Sequence, residues 1–212
     1  MMVIDAPLPP SRAGSISLIA GDLALDFANS ESGRGHSSRQ DHLQAPLDVA
    51  DWLGHAGVLD QREAANLRAH VEGRGSFAAA LLAQARGLRE DIHAIGAATA
   101  HRTPPPAGAL ANLVATHARC IACATLAPRE ARRQWRWSVG ETPFEGALGP
   151  VALAAVTLLT DRDPDRIKEC GGVGCGWLFY DASKSGRRRW CEMEVCGNRA
   201  KQRRHAARSR SA

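Results

Sequence analysis

Four cysteines near the end of the chain constrain its fold more than any other residues. Cys170, Cys175, Cys191 and Cys196 follow the pattern C-x4-C-x15-C-x4-C, two close pairs separated by enough chain for one hairpin. A structural zinc ion takes four ligands set tetrahedrally, with about 2.3 Å from sulfur to metal. Two close pairs meet that demand because each makes one tight turn around the ion, and only bringing the turns together costs chain entropy. The neighbouring residues suit such turns. "CGGVGCG" supplies glycines that let the backbone wrap closely. "WLFYD" reads as a strand, "SKSG" as a turn, and "RRRWC" as a second strand returning to Cys191. Gly197-Asn198 permits another turn before "RAKQRRHAARSR", which has helix-forming composition. The pattern predicts a zinc-bound β-hairpin and helix.

The redox setting decides how these thiols are read. "MMVIDAPLPPSRAG" has no charged segment leading into an apolar one, and no uninterrupted apolar run approaches about 18 residues. The expectation is a cytoplasmic protein without membrane association, whose thiols stay reduced and favour metal over disulfides. A redox pair or four unrelated buried thiols are the competing readings. His205 lies nine residues beyond Cys196, or about 13 Å along a helix, too far to share the ion.

Charge is concentrated in the same region. The chain of 212 residues carries a net +5, but from Asp181 onward ten Lys/Arg face three Asp/Glu, a net +7, leaving the preceding residues at −2. On a helical wheel, Arg199, Arg203 and Arg210 share one side, and Lys201, Arg204 and Arg208 the opposite one. The only apolar residues there are alanines, so this helix has no stripe to bury. Pinned at its start by the metal, it must project. A projecting cationic rod suits duplex DNA, where arginine meets phosphates and the edges of guanine. Asn198, Arg199, Lys201, Arg203, Arg204 and Arg208 are the candidate contacts. Lys184, Arg187, Arg188 and Arg189 of the expected hairpin extend the surface. A solvated tail is the plain alternative. Trp177, Phe179, Tyr180 and Trp190 could instead stack on single-stranded RNA or fill a very small core. A third reading makes the finger a protein-interaction module beside a ligand-binding or catalytic body.

"CGWLFYD.SK....RWC.M..CGNRAK..RH" resembles the CGNR zinc-finger family, named for the tetrapeptide Cys196-Gly197-Asn198-Arg199. "GDLALDFANS" and "PLDVADWL" resemble the ABATE domain that precedes this finger in stress-induced bacterial transcription regulators. The resemblance implies a zinc-bound, DNA-binding C-terminal module and a regulatory N-terminal domain. "CGGVGC" departs from the family in being unusually glycine-rich, which loosens the turn without removing a ligand.

The body reads as mainly α with minor β. Expected boundaries are a loose N-terminus at 1–14, a helical domain with small β-elements at 15–162, and the finger at 166–208. Ser15–Ser30 reads as a hairpin or a strand-turn-helix entry, and the residues after it as loop. Helices are expected over Pro46–Leu59, through "DQREAANLRAHV", over Ser76–Ala100 with Ser76 as cap, over Ala107–Ala127, and over Gly149–Thr160. Arg132–Gly140 alternates Trp135, Trp137 and Val139 with polar residues and reads as a half-buried strand. Asp26, Asn29, His36 and Arg39 are candidate ligands for a small-molecule effector, although Asp26 and Asn29 also fit caps of a turn or helix. His117, Cys120 and Cys123 lack a fourth metal ligand and read as buried thiols beside an unrelated histidine. The chain shows no glycine-rich phosphate loop, nucleophile elbow or His-Glu hydrolase motif, so it is read as a non-enzyme. A single short helix reads few bases, which makes a homodimer the natural assembly.

Overall fold

The computed structural model describes residues 12–35 and 39–210. Gly21-Asp22 makes a turn, and the Asp22 carboxylate accepts from Ala24 N at 3.0 Å to cap α1 (Leu23–Ala28), so the strand-turn-helix entry resolves into turn and helix. The following segment, read as loop, contains the two-residue ladder β1 (Glu31–Ser32) and β2 (Gln40–Asp41). Salt bridges hold what periodicity could not reveal. Arg34, Arg39 and Arg89 surround the buried Glu31, and Arg86 and Arg89 reach Asp41.

α2 (Pro46–His55) opens with proline at its first turn, where a missing N–H costs nothing. Asp48 reaches back to accept from Gln44 N and Ala45 N at 2.7 Å each. A Schellman closure ends the helix, with Gly57 N on Gly54 O and Val58 N on Leu53 O. α3 (Gln61–Gly73) carries a reciprocal capping box between Asp60 and Glu63. α4 (Gly75–Ala100) starts one residue before Ser76, so that serine lies inside the helix and does not cap it. Its buried Ala78, Leu81, Ala85, Leu88, Ile92 and Ile95 alternate steps of three and four, one continuous stripe.

α5 (Ala107–Ala122) stops five residues short of expectation because Thr125 onward enters a ribbon instead. β3 (Thr125–Arg129) and β4 (Arg132–Arg136) form an antiparallel hairpin in which Leu126 faces Trp135. Both are exposed, Leu126 by 55% and Trp135 by 41%, so the expected burial of Trp135 does not hold. Trp137 and Val139 do turn inward. The Trp137 indole donates to Cys120 O at 2.7 Å, and Val139 is buried. α6 (Pro143–Asp161) begins six residues earlier than expected, with Pro150 inside it. It is the one helix among the described residues long and apolar enough to cross a membrane. It packs as a core helix, with Ala147, Leu148, Val151, Ala152, Ala155 and Leu158 buried against α5, α1 and α4.

A short 3-10 turn, Pro164–Arg166, leads into β5 (Ile167–Glu169), which pairs antiparallel with β6 (Leu178–Tyr180). The last helix, α7 (Asn198–Arg210), continues directly from a π turn at Met193–Gly197. The fold is mainly α with minor β, as the sequence implies.

Candidate metal centre and nucleic-acid interface

The hairpin of the finger is not the one the sequence suggests. β6 pairs with β5, ahead of the first cysteine, and "RRRWC" forms no strand. The reason lies at the other edge of β6, which the body occupies. The buried Asn29 side chain donates to Leu178 O and accepts from Leu178 N, both at 2.8 Å, and Tyr180 N donates to Ala20 O at 2.7 Å. With both edges filled, β6 has no free groups for a second partner.

Asp181 organises the displaced segment. Fully buried, its carboxylate accepts from Ser183 N, Ser183 Oγ, Arg188 N and Lys168 Nζ at 2.6–3.0 Å. Burial pushes its pKa up, but those four hydrogen bonds more than reverse the push and hold it well below the usual carboxylate range. The chain therefore curls around Asp181 and delivers Cys191 to the first cysteine pair.

All four sulfurs converge, lying within 4.8 Å of one another, the one such cluster among the described residues. Cys175–Cys191 and Cys191–Cys196 sulfur separations are 3.7 Å each. A tetrahedron with about 2.3 Å metal–sulfur bonds has edges of about 3.8 Å, so the donor set and its spacing fit a zinc ion. Gly172 N and Cys191 N donate to Cys170 Sγ at 3.4 and 3.3 Å. Hydrogen bonds from the Cys175 and Cys191 thiols pull the Cys170 pKa down, and the same contact pushes that of Cys175 up. Four sulfurs this close cannot all be thiolates unaided, and a divalent cation removes that conflict.

The glycine-rich first knuckle tightens the site. A side chain at Gly172 would stand 3.1 Å from Cys196 Sγ, and one at Gly176, where φ is +69°, would meet the Arg34 side chain at 2.8 Å. The glycines let the two knuckles, and then the body, approach closely. His117, Cys120 and Cys123 join no such cluster. Cys120 is buried, and desolvation raises it to about 11, while Cys123 is exposed.

The expected interface residues divide into two groups. Arg188 turns inward, its guanidinium 4.5 Å over the Phe179 ring and donating to Trp190 O, Cys191 O and Ile19 O. Asn198 donates its amide to Glu194 O at 2.9 Å, and no turn separates it from the π segment, because its backbone is already helical. Lys184, Arg187 and Arg189 are exposed, Arg189 lying 5.5 Å from the Trp190 ring. Arg199, Lys201, Arg203, Arg204 and Arg208 are exposed on α7, and none of their side chains has a carboxylate or hydrogen-bond partner among the described residues. The helix packs mainly on the π turn before it.

The expected ligand residues serve the body itself. Asp26 accepts from Ala20 N at 2.9 Å, and burial raises its pKa to about 6. Asn29 clamps β6, Arg39 pairs with Glu31, and His36 lies outside the described residues. Sequence reasoning missed Asp181, which reads as one more polar residue of a turn, and the clamping role of Asn29.

The structure thus joins a helical body to a four-thiol finger that carries a basic helix. Residues 21–162 match the family model ABATE, described as "putative stress-induced transcription regulator", and residues 166–209 match the CGNR zinc finger. The chain belongs to the ABATE family and carries a C-terminal CGNR zinc finger. No curated protein matches the chain.

Proposed function

We propose that this chain is a cytoplasmic, non-enzymatic transcription regulator that binds duplex DNA through α7, with zinc held by Cys170, Cys175, Cys191 and Cys196. One contrast carries the reading. Arg34, Arg39, Arg86 and Arg89 of the body are paired with carboxylates, whereas Arg199, Lys201, Arg203, Arg204 and Arg208, five cations gathered on one helix, are exposed with no carboxylate partner among the described residues. Unpaired guanidiniums on a projecting rod match a polyphosphate partner. The bound ion would supply a rigid tetrahedral anchor at the base of the rod. Phe179 is buried and the Trp177 indole donates to Glu31 O at 3.1 Å, which favours a duplex over a base-stacking single strand. A homodimer reading paired half-sites and a small-molecule effector acting on the body complete the proposal.

Genomic fragments selected by the zinc-loaded protein supply the duplex for an anisotropy titration. Replacing Arg199, Arg203 and Arg204 together with alanine should weaken binding at least about a hundredfold. Log affinity of the unaltered protein should fall with log salt at a slope near −5, as expected for about six phosphate contacts. Unchanged affinity in the triple variant, or tighter binding to single-stranded RNA of the same sequence, would refute the reading.

A further inference from the structure

A cavity of about 470 Å³ lies where the body meets the finger, beside the thiol quartet. An ion needs a small fraction of that space, while small organic ligands occupy about 300–1,000 Å³. Its walls come from segments far apart in sequence: the stretch before α1, the end of β1, both knuckles, and the first turns of α7.

Three arginines line it, Arg12 from the stretch before α1 and Arg199 and Arg203 from successive turns of α7. None of the three has a carboxylate partner or donates a hydrogen bond among the described residues. Glu192 is the lone carboxylate on the wall, and Cys175, Cys191 and Cys196 line it as well, so the three arginines stand opposite Glu192 and the thiolate centre. Ser17 and Ser32 add hydroxyls, and the Ser32 hydroxyl bonds His42 Nε2 at 2.9 Å. Ile16, Val173 and Val195 supply apolar surface. Arginines brought from two separate segments to one cavity beside an apolar wall suit an organic anion, since guanidinium pairs carboxylate and phosphate oxygens bidentately.

We propose that this junctional cavity binds a small organic anion, a carboxylate or phosphate monoester with an apolar part. The anionic head would meet Arg12, Arg199 and Arg203, and the apolar part Ile16, Val173 and Val195. Such a ligand would take two α7 arginines away from DNA and so couple the body to the reader, a consequence that rests on the DNA-binding reading above.

Phenyl phosphate, inorganic phosphate and benzyl alcohol, titrated calorimetrically into the zinc-loaded full chain, test the site without DNA. Phenyl phosphate should bind saturably at one per chain, inorganic phosphate more weakly, and the uncharged alcohol not at all. Arg12→Ala, with zinc content unchanged, should bind phenyl phosphate about tenfold more weakly. Arg62→Ala, which removes the same charge from α3, should bind as the unaltered chain does. Absence of saturable binding, or equal weakening in the two variants, would overturn the proposal. In a second arm, phenyl phosphate should displace duplex DNA from the unaltered protein and lose that effect in Arg12→Ala. Ligand binding without displacement would leave the site standing and remove only its coupling to DNA.

Discussion

Asp26 holds its place in the fold at an electrostatic cost. Its carboxylate accepts from Ala20 N, yet burial raises its pKa from 3.8 to about 6. The native state therefore binds more protons than the unfolded chain between about pH 4 and 6, and the stability Asp26 contributes declines as pH rises through that window. Asp26→Asn keeps the acceptor and removes the charge. It should stabilise the protein by about 1–2 kcal/mol at pH 8 and hardly at all at pH 4. Urea denaturation at the two pH values checks this, and an equal effect at both would count against it. Asp181 is the opposite case. Its charge is buried but fully engaged, so its pKa falls and the segment around it stays fixed. Both aspartates look alike in sequence, because partners arriving from distant segments decide which charge is stabilised.

At the scale of elements, α7 depends on its anchor. It has 13 residues, no carboxylate and no apolar stripe, and isolated helices shorter than about 12–15 residues are marginal in water. Cations crowded on one another raise that cost further. The helix persists by growing out of the π turn that holds Cys196. Chelating the metal should therefore melt α7 while α4 and α6, which are packed in the core, stay folded. Far-UV circular dichroism should lose about one eighth of its helical signal in chelator, the share of α-helical residues that α7 supplies among the described residues. An unchanged spectrum would mean the helix is held by something else. The β3–β4 hairpin shows how a correct period can mislead: β4 alternates as a strand should, yet its Trp135 side faces solvent. Alternation marks two faces, but only the packing neighbours determine which one is covered.

Across the whole molecule, body and finger act as one unit. Asn29 grips Leu178 from both sides, His93 Nε2 lies 2.9 Å from Gly176 O, and Arg162 stacks 4.1 Å over Tyr180. Asn29→Ala would orphan two buried backbone groups, a loss of about 2–3 kcal/mol. Hydrogen exchange at Leu178 and Tyr180 should accelerate strongly in that variant, with zinc content retained. Protection equal to that of the unaltered chain would show that the clamp carries no weight. This joint also brings together the walls of the junctional cavity.

The ligand spacing, the cationic run without an apolar stripe, and most helices were legible in the sequence because each is local. Cysteine pairs make their own turns, and helical periodicity repeats within a few residues. The partner of β6, the inward turn of Arg188, the clamp at Asn29 and the cavity beneath α7 came only from the tertiary structure. Each joins groups from widely separated segments, Asn29 and Leu178 lying 149 positions apart. Hydrogen-bond donors and charges are satisfied by whatever folding brings within reach, and a linear pattern holds no record of that distance.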